Sequence, residues 1–329
     1  MTDQLKTEYD VVVVGGGAAG LSAALTLARA RRSVLVVDAD SPRNAAARHV
    51  HNYLGREGTT PTDLLAIGRA EVSGYGGEVV TGTVISAQNL NNQEGDSGLR
   101  VLLADGRAVA ARRLLVTTGL VDELPDVPGL AQRWGRDVLH CPYCHGWEFR
   151  DHAIGVLATG PMAVHQALLF RQWSAEVTLF VHTADAPSDE QRDQLAARGI
   201  VVVDGEVAAV EVSDDRLTGL RLRTGELIAV QAVVVMPRFS ARADVLDSLG
   251  LVSVEQEVNG HVIGASVPAE TTGATAVPGV WVAGNVADLF AGVINAAAAG
   301  VFTAAAINAD LVAEDVRYAV EALSGAVTR

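Results

Sequence analysis

A run of β-branched residues, Val11 to Val14, leads directly into Gly15-Gly16-Gly17-Ala18-Ala19-Gly20, after which Leu21, Ala24, Leu25 and Leu27 recur at helical spacing. A second apolar run, Ser33 to Val37, ends at Asp38, 18 positions after Gly20. Strand, tight turn, helix, strand and acid in that order make a βαβ unit of the kind that binds a dinucleotide. Each position has a physical task. Gly15 permits the turn, Gly17 lets backbone amides approach a pyrophosphate, Gly20 lets helix and strand pack closely, and the helix N-terminus adds partial positive charge. Asp38 would then hold ribose hydroxyls. An ordinary glycine-rich turn with Asp38 as a solvated strand end is the plainer alternative, and the complete context weighs against it.

A degraded copy of the unit stands 143 residues later. Ile154 to Leu157 aligns with the first strand, Ala158-Thr159-Gly160-Pro161-Met162-Ala163 with the turn, and Val177 to Val181 with the second strand and its acid. Alanine at the last turn position is a permitted variant. Ala158 replaces the first glycine, however, Pro161 has no N–H to offer a phosphate, although it could occupy a helix N1 position, and Val181 replaces the ribose acid. Those losses together weaken nicotinamide binding.

Further strands are expected at Leu114 to Thr118, ending in Gly119, and at Gly279 to Ala283, running into Gly284-Asn285 and a helix from about Ala291 to Val312. Pro125 and Pro128 punctuate one linker and Pro237 to Ala243 a second, so the middle of the chain reads as an insert within a first domain. The 329 residues carry 25 Lys+Arg against 39 Asp+Glu, and no basic run exceeds two residues, which argues against nucleic acid as a partner. Lys6 is the single lysine, which removes a Walker-type phosphate lysine and a Schiff-base mechanism. Val11 to Ala28 and Gly292 to Ala309 lack charge, yet the first holds three consecutive glycines and the second is alanine-rich with Asn295 and Asn308 inside it. Neither reads as a membrane span or signal peptide, and a soluble cytoplasmic protein is expected.

The two cysteines stand in His140-Cys141-Pro142-Tyr143-Cys144-His145-Gly146-Trp147. A C-x-x-C pair can cycle between dithiol and disulfide, and its neighbours can lower a thiol pKa. Two other chemistries share the pattern. C-x-x-C-H is a c-type haem attachment sequence, for which no second axial ligand is evident. A zinc site would need two more ligands, with His140, His145 and His152 nearby but no second C-x-x-C to close a cage; no metal is assigned. His145, next to Cys144, is the candidate proton acceptor for the dithiol. His140, His49 and His51 read as surface or packing histidines, and Trp147 as packing.

Taken together, the GGGAAG turn, the Thr117-Thr118-Gly119 strand end, the CPYCHG pair beside a second nucleotide-unit copy and the Ala283-Gly284-Asn285 turn resemble the low-molecular-weight thioredoxin reductase-like pyridine-nucleotide-disulfide flavoproteins, over nearly the whole chain. The resemblance implies an α/β fold of two Rossmann-like nucleotide-binding domains of the three-layer ββα type. It implies an FAD domain split into residues 1–118 and 244–329 around a central domain, 119–243, that carries the cysteines, and a homodimer. FAD contacts are implied at Gly15, Gly17, Ala18, Ala19, Gly20 and Asp38. Further contacts are implied at Asn52 beside the flavin ring, at Thr118 and Gly119, and at Gly284 and Asn285, where the family usually has an aspartate on the ribityl chain. An amide can still make that hydrogen bond. Cys144 matches the sulfur that faces the flavin and Cys141 the one that exchanges with substrate.

Three departures bear on activity. His145 replaces an aspartate general acid, the central turn is degraded, and Val181-His182-Thr183 lacks the arginine that clamps the 2′-phosphate of NADPH. Within the family the chain looks most like the dithiol oxidases of gliotoxin and holomycin biosynthesis. These close a disulfide in a small-molecule dithiol and pass electrons through FAD to O2. An NAD(P)H- or ferredoxin-dependent thioredoxin or disulfide reductase is one alternative expectation, and a flavin-bound thiol redox sensor is another.

Overall fold

A computed structural model describes residues 5–90 and 98–327. Residues 1–4, 91–97, 328 and 329, which belong to the first and last expected segments, lie outside the described residues. Strand β1 (Glu8–Val14), helix α1 (Ala18–Arg29) and strand β2 (Val34–Asp38) form the anticipated unit, with Val11 to Val14 of β1 parallel and in register with Val34 to Val37 of β2. Helix α2 (Pro61–Gly74) starts at Thr60, whose hydroxyl accepts the Asp63 N–H while Pro61 supplies a preset φ. Strands β3 (Glu78–Thr81), β4 (Val84–Asn89), β5 (Leu99–Leu103) and β6 (Ala108–Val116) complete the first stretch.

Strand β7 (Leu120–Glu123) leads out to β8 (Val138–Leu139), helix α3 (Pro142–His145), β9 (Ile154–Leu157), α4 (Ala163–Phe170), β10 (Val177–Phe180), α5 (Asp189–Ala197) and β11 (Val201–Val203). An antiparallel meander follows, β12 (Val207–Ser213), β13 (Arg216–Leu222) and β14 (Leu227–Ala229), and then β15 (Ala232–Val235). Strand β16 (Arg238–Ala241) returns antiparallel to β7, with Phe239 opposite Asp122. The chain ends with α6 (Asp244–Asp247), β17 (Val254–Val258), β18 (His261–Ser266), β19 (Val280–Val282) and the long helix α7 (Val293–Val327).

Sheet order explains how distant segments share one site. The first sheet runs β3-β2-β1-β6-β5-β4, and β19 pairs in parallel with the second half of β6, Val280 to Val282 against Leu114 to Val116. The late strand therefore lies in the same sheet as the glycine turn. A separate sheet, β11-β10-β9-β15-β8, holds the central strands, and a four-stranded sheet, β17-β18-β16-β7, contains the two connecting strands. The parallel strands are buried on both faces, which is why Val11 to Val13 and Val34 to Val37 read as unbroken apolar runs.

Helix α7 is, among the described residues, the one helix long and apolar enough to cross a membrane, yet Ala304, Ile307 and Leu311 are fully buried in the core beside α1. Its small residues serve close packing: a Cβ at Gly300 would stand 2.1 Å from the Ala19 carbonyl oxygen. The helix runs beyond the anticipated Val312 because arginines from elsewhere anchor its acidic face. Arg112 binds Asp10, Glu314 and Asp315, Arg113 binds Asp310 and Glu314, and Arg32 binds Asp315.

Candidate active site

The C-terminal end of the first sheet opens into a cavity of about 770 Å³. Segments far apart in sequence line it: the glycine turn, Asp38, the loop from Ser41 to Asn52, the strand end at Thr117 to Gly119, the redox turn and the Gly284 to Ala296 stretch. Of the redox and FAD-contact residues singled out from sequence, all reach this cavity except Gly20, which lies beneath it. Gly15 has φ +103°, a left-handed conformation, and its N–H donates to Val37 O at 2.8 Å. A Cβ on Gly17 would meet nothing within 4 Å, whereas one on Gly20 would collide with the Gly15 carbonyl. Gly17 caps α1 without any side-chain partner for the first-turn amides. The result is an uncapped helix N-terminus beside open space, a fit for a pyrophosphate.

Asp38 does more than wait for a ribose. One oxygen accepts the Gly16 N–H at 3.0 Å and the other pairs with Arg69 at 2.5 Å, so the carboxylate also locks the turn. Thr118 donates its hydroxyl to Arg242 O at 2.5 Å, and Gly119 has φ +73°. Asn285 uses both amide hydrogens on loop carbonyls, Asp288 O at 2.9 Å and Ala291 O at 3.0 Å. Asn52, itself left-handed at φ +59°, donates to Tyr143 O at 2.5 Å, so its side chain ties the preceding loop to the redox turn.

Cys141 and Cys144 are joined as a disulfide, both half-buried, with Cα atoms 5.3 Å apart. The Cys144 N–H points at Cys141 Sγ, 3.2 Å away, and such a donor favours a thiolate on that sulfur. Burial pushes the His145 pKa down; Glu148 opposes that and the charge of His51 reinforces it. His145 is thereby held neutral and able to accept a thiol proton.

One expectation gains a detail and one needs correction. His140, expected to pack, does so against Phe239, and it also lines the cavity together with His49 and His51. His51 Nδ1 lies 2.5 Å from Glu57 and Nε2 lies 3.4 Å from Glu148, spanning the loop and the redox turn. Trp147 is no packing residue; it is 65% exposed, with the Arg150 guanidinium 4.2 Å from its ring centre. Sequence reasoning also missed Arg43 and Asp122, a two-pronged ion pair at 2.8 and 2.6 Å on the cavity wall. Arg43, one of two arginines with Arg48 in the loop between Asp38 and Asn52, was the available signal.

His140 packs edge-on against Phe239, and its pKa is pushed down to about 4, first by burial, then by Arg43, with Asp122 opposing. An exposed imidazole titrates near 6.5, so between pH 6.5 and about 4 the unfolded chain binds a proton that the folded chain refuses. Stability therefore falls as pH drops through that window, and His145, displaced in the same direction, steepens the fall. Replacing His140 by glutamine is expected to flatten this slope in urea unfolding at pH 7 and pH 5. An unaltered slope would show that the imidazole is not held neutral by the fold.

The degraded copy differs visibly from the first unit. Ala158, Ala163 and Val181 are buried, α4 starts at Ala163 so that Pro161 lies in the turn ahead of it, and His182, at φ +49°, accepts the Val207 N–H on Nδ1 at 3.1 Å. The His182 side chain is thus committed to backbone.

The profile of the pyridine nucleotide-disulphide oxidoreductases matches residues 9–300. The crystal structure of HlmI is 45% identical and superposes with a TM-score of 0.89, covering 98% of this chain and 99% of that one. Two curated relatives are fungal: thioredoxin reductase aclD of Aspergillus oryzae, 31% identical over 84% of this chain and 88% of its own, and thioredoxin reductase tcpT of Claviceps purpurea, 29% identical over 88% and 90%.

Proposed function

The chain belongs to the pyridine nucleotide-disulphide oxidoreductase family and is a thioredoxin reductase-like oxidoreductase that binds FAD, and from that premise we propose that it oxidises a small-molecule dithiol to a disulfide with O2 as acceptor. The observation that carries the reading is the second nucleotide unit. It presents Ala158, Pro161 and Val181 where a nicotinamide cofactor needs a glycine, an amide and an acid, and its His182 is occupied. A weakened nicotinamide site supports a flow of electrons that starts at the thiol substrate.

Bound FAD supplies a two-electron sink that oxygen can empty, and Gly15, Gly17, Ala18, Ala19, Asp38, Asn52, Thr118, Gly119, Gly284 and Asn285 are the cavity residues to hold it, with Gly20 supporting the turn. A substrate thiolate attacks Cys141, breaking the Cys141–Cys144 bond and leaving Cys144 as the thiolate. The second substrate thiol attacks the mixed disulfide, and Cys141 departs as a thiolate held by the Cys144 N–H. His145 accepts the proton released. Closure of the Cys141–Cys144 bond restores the protein and gives up two electrons, Cys144 being the sulfur on the donor side. Overall, two thiols become one disulfide and O2 becomes hydrogen peroxide.

The same reading takes the protein as a cytoplasmic homodimer divided at 118/119 and 243/244. Support for a second copy comes from exposed apolar residues on α7, among them Phe302 at 73% and Leu323 at 69%. A second reading, reduction of thioredoxin or another disulfide with NAD(P)H or ferredoxin as donor, is favoured by the similarity to the thioredoxin reductases aclD and tcpT. A flavin-bound thiol sensor would show no turnover. Anaerobic flavin absorbance separates the three. Bleaching by 1,4-dithiothreitol alone, recovering on admission of air and continuing through many turnovers with excess dithiol, is the expected result. Rapid bleaching by NADPH or NADH would make the protein a reductase.

A further inference from the structure

Arg43 belongs to the loop after β2, yet its side chain reaches three other segments. Asp122 on β7 takes Nε at 2.8 Å and Nη2 at 2.6 Å, Phe239 on β16 lies with its ring centre 5.4 Å from the guanidinium carbon, and Nη1 points to Asn285 Oδ1 at 3.4 Å. Asp122 is almost wholly buried and Phe239 completely so, which leaves the guanidinium one well-defined position. The fork that binds Asp122 leaves Nη1 as the one prong turned toward the cavity.

Asn285 takes its meaning from this arrangement. Its amide donates to two carbonyls, a task a carboxylate cannot perform, and its oxygen meets Arg43. An aspartate there would compete with Asp122 for the guanidinium. The neutral amide keeps the arginine paired with Asp122 and keeps negative charge away from the cavity side of Nη1. The cation is felt locally despite its partner, since at His140 the downward push of Arg43 exceeds the upward pull of Asp122.

We propose that Arg43, held by Asp122 and capped by Asn285, is a positioning charge that raises the reduction potential of the bound flavin. Reduction adds two electrons and one proton to give an anionic flavin, and a fixed cation in a partly desolvated cavity favours that form over the neutral oxidised one. The inference goes beyond the assignment of a substrate and holds for either direction of electron flow.

The test is an anaerobic titration of the holoenzyme with dithionite against a reference dye. It reads the flavin potential without substrate, so a failed dithiol assay leaves it standing. Arg43→Gln is expected to lower the equilibrium constant for flavin reduction about tenfold, about 30 mV for a two-electron couple. Asp122→Asn, which removes the counter-charge, is expected to move the potential upward. Opposite signs are the signature of charge, because loosening of the cavity would shift both variants the same way. Arg43→Lys, which keeps the charge and loses the fork, is expected to stay within about threefold of the parent, and it serves if the glutamine variant fails to retain FAD. Equal signs, or no shift in any variant, would overturn the proposal.

Discussion

Replacing Cys144 with serine is expected to yield a yellow protein that keeps its FAD and loses dithiol turnover by roughly a thousandfold or more, the scale on which removal of a covalent participant is felt. The substitution is nearly isosteric and sits in the four-residue helix α3, so neither the glycine turn nor the β19 turn is disturbed. The backbone N–H that supports Cys141 Sγ is retained. What disappears is the partner sulfur: a substrate thiolate finds no disulfide to attack, and Cys141 has nothing with which to re-form one. Oxygen uptake in the presence of excess dithiol is the measurement, with the ratio of flavin to protein absorbance as the control for cofactor content. Turnover at the parent rate by a fully flavinylated variant would mean that thiols reach the flavin without the C-x-x-C pair, and the cycle proposed for Cys141, Cys144 and His145 would be abandoned.

Much of this site was readable along the chain because its parts are local. A strand, a glycine turn, a helix start and a C-x-x-C pair are each set by neighbouring residues, and all reappear where expected. Features that depend on distant partners were not readable. Strand β1 begins at Glu8 instead of Val11 because Glu8 and Tyr9 pair with Ala110 and Ala111, and Tyr9 is buried through contacts its own segment does not specify. Helix α7 outruns its apolar stretch on ion pairs from Arg32, Arg112 and Arg113. His51 and His140 reach the cavity in surroundings that loops and strand β16 bring together, Glu57, Glu148, Arg43 and Phe239. Single side chains in irregular loops carry no periodic signal, so no inspection of spacing would have found them.

Two glycines of the turn should fail in different ways when each is replaced by alanine. At Gly20 the added Cβ would lie 1.9 Å from Gly15 O and 2.6 Å from Thr117 Oγ1, and neither neighbour can retreat cheaply. Gly15 is pinned by its bond to Val37 and by the Thr117 hydroxyl on its own carbonyl at 2.9 Å, which hold it at φ +103°. Helix α1 must shift away from the sheet, at a cost of about 2 to 3 kcal/mol in the range of overpacked cores, and it also presses on α7 through Ala19 and Gly300. Gly20→Ala is therefore expected to melt at lower temperature even as apoprotein and to lose FAD affinity on the order of a hundredfold or more, about 2.7 kcal/mol. At Gly17 the Cβ meets open space and φ is an ordinary −77°, so the Gly17→Ala apoprotein should melt close to the parent while FAD affinity still falls, because the methyl group occupies the approach to the helix N-terminus. Apoprotein melting paired with fluorescence titration of FAD reads both quantities. If Gly20→Ala bound FAD like the parent, the close helix–strand contact would have no part in shaping the site. If Gly17→Ala did so, the open side of the turn would not be where the pyrophosphate lies.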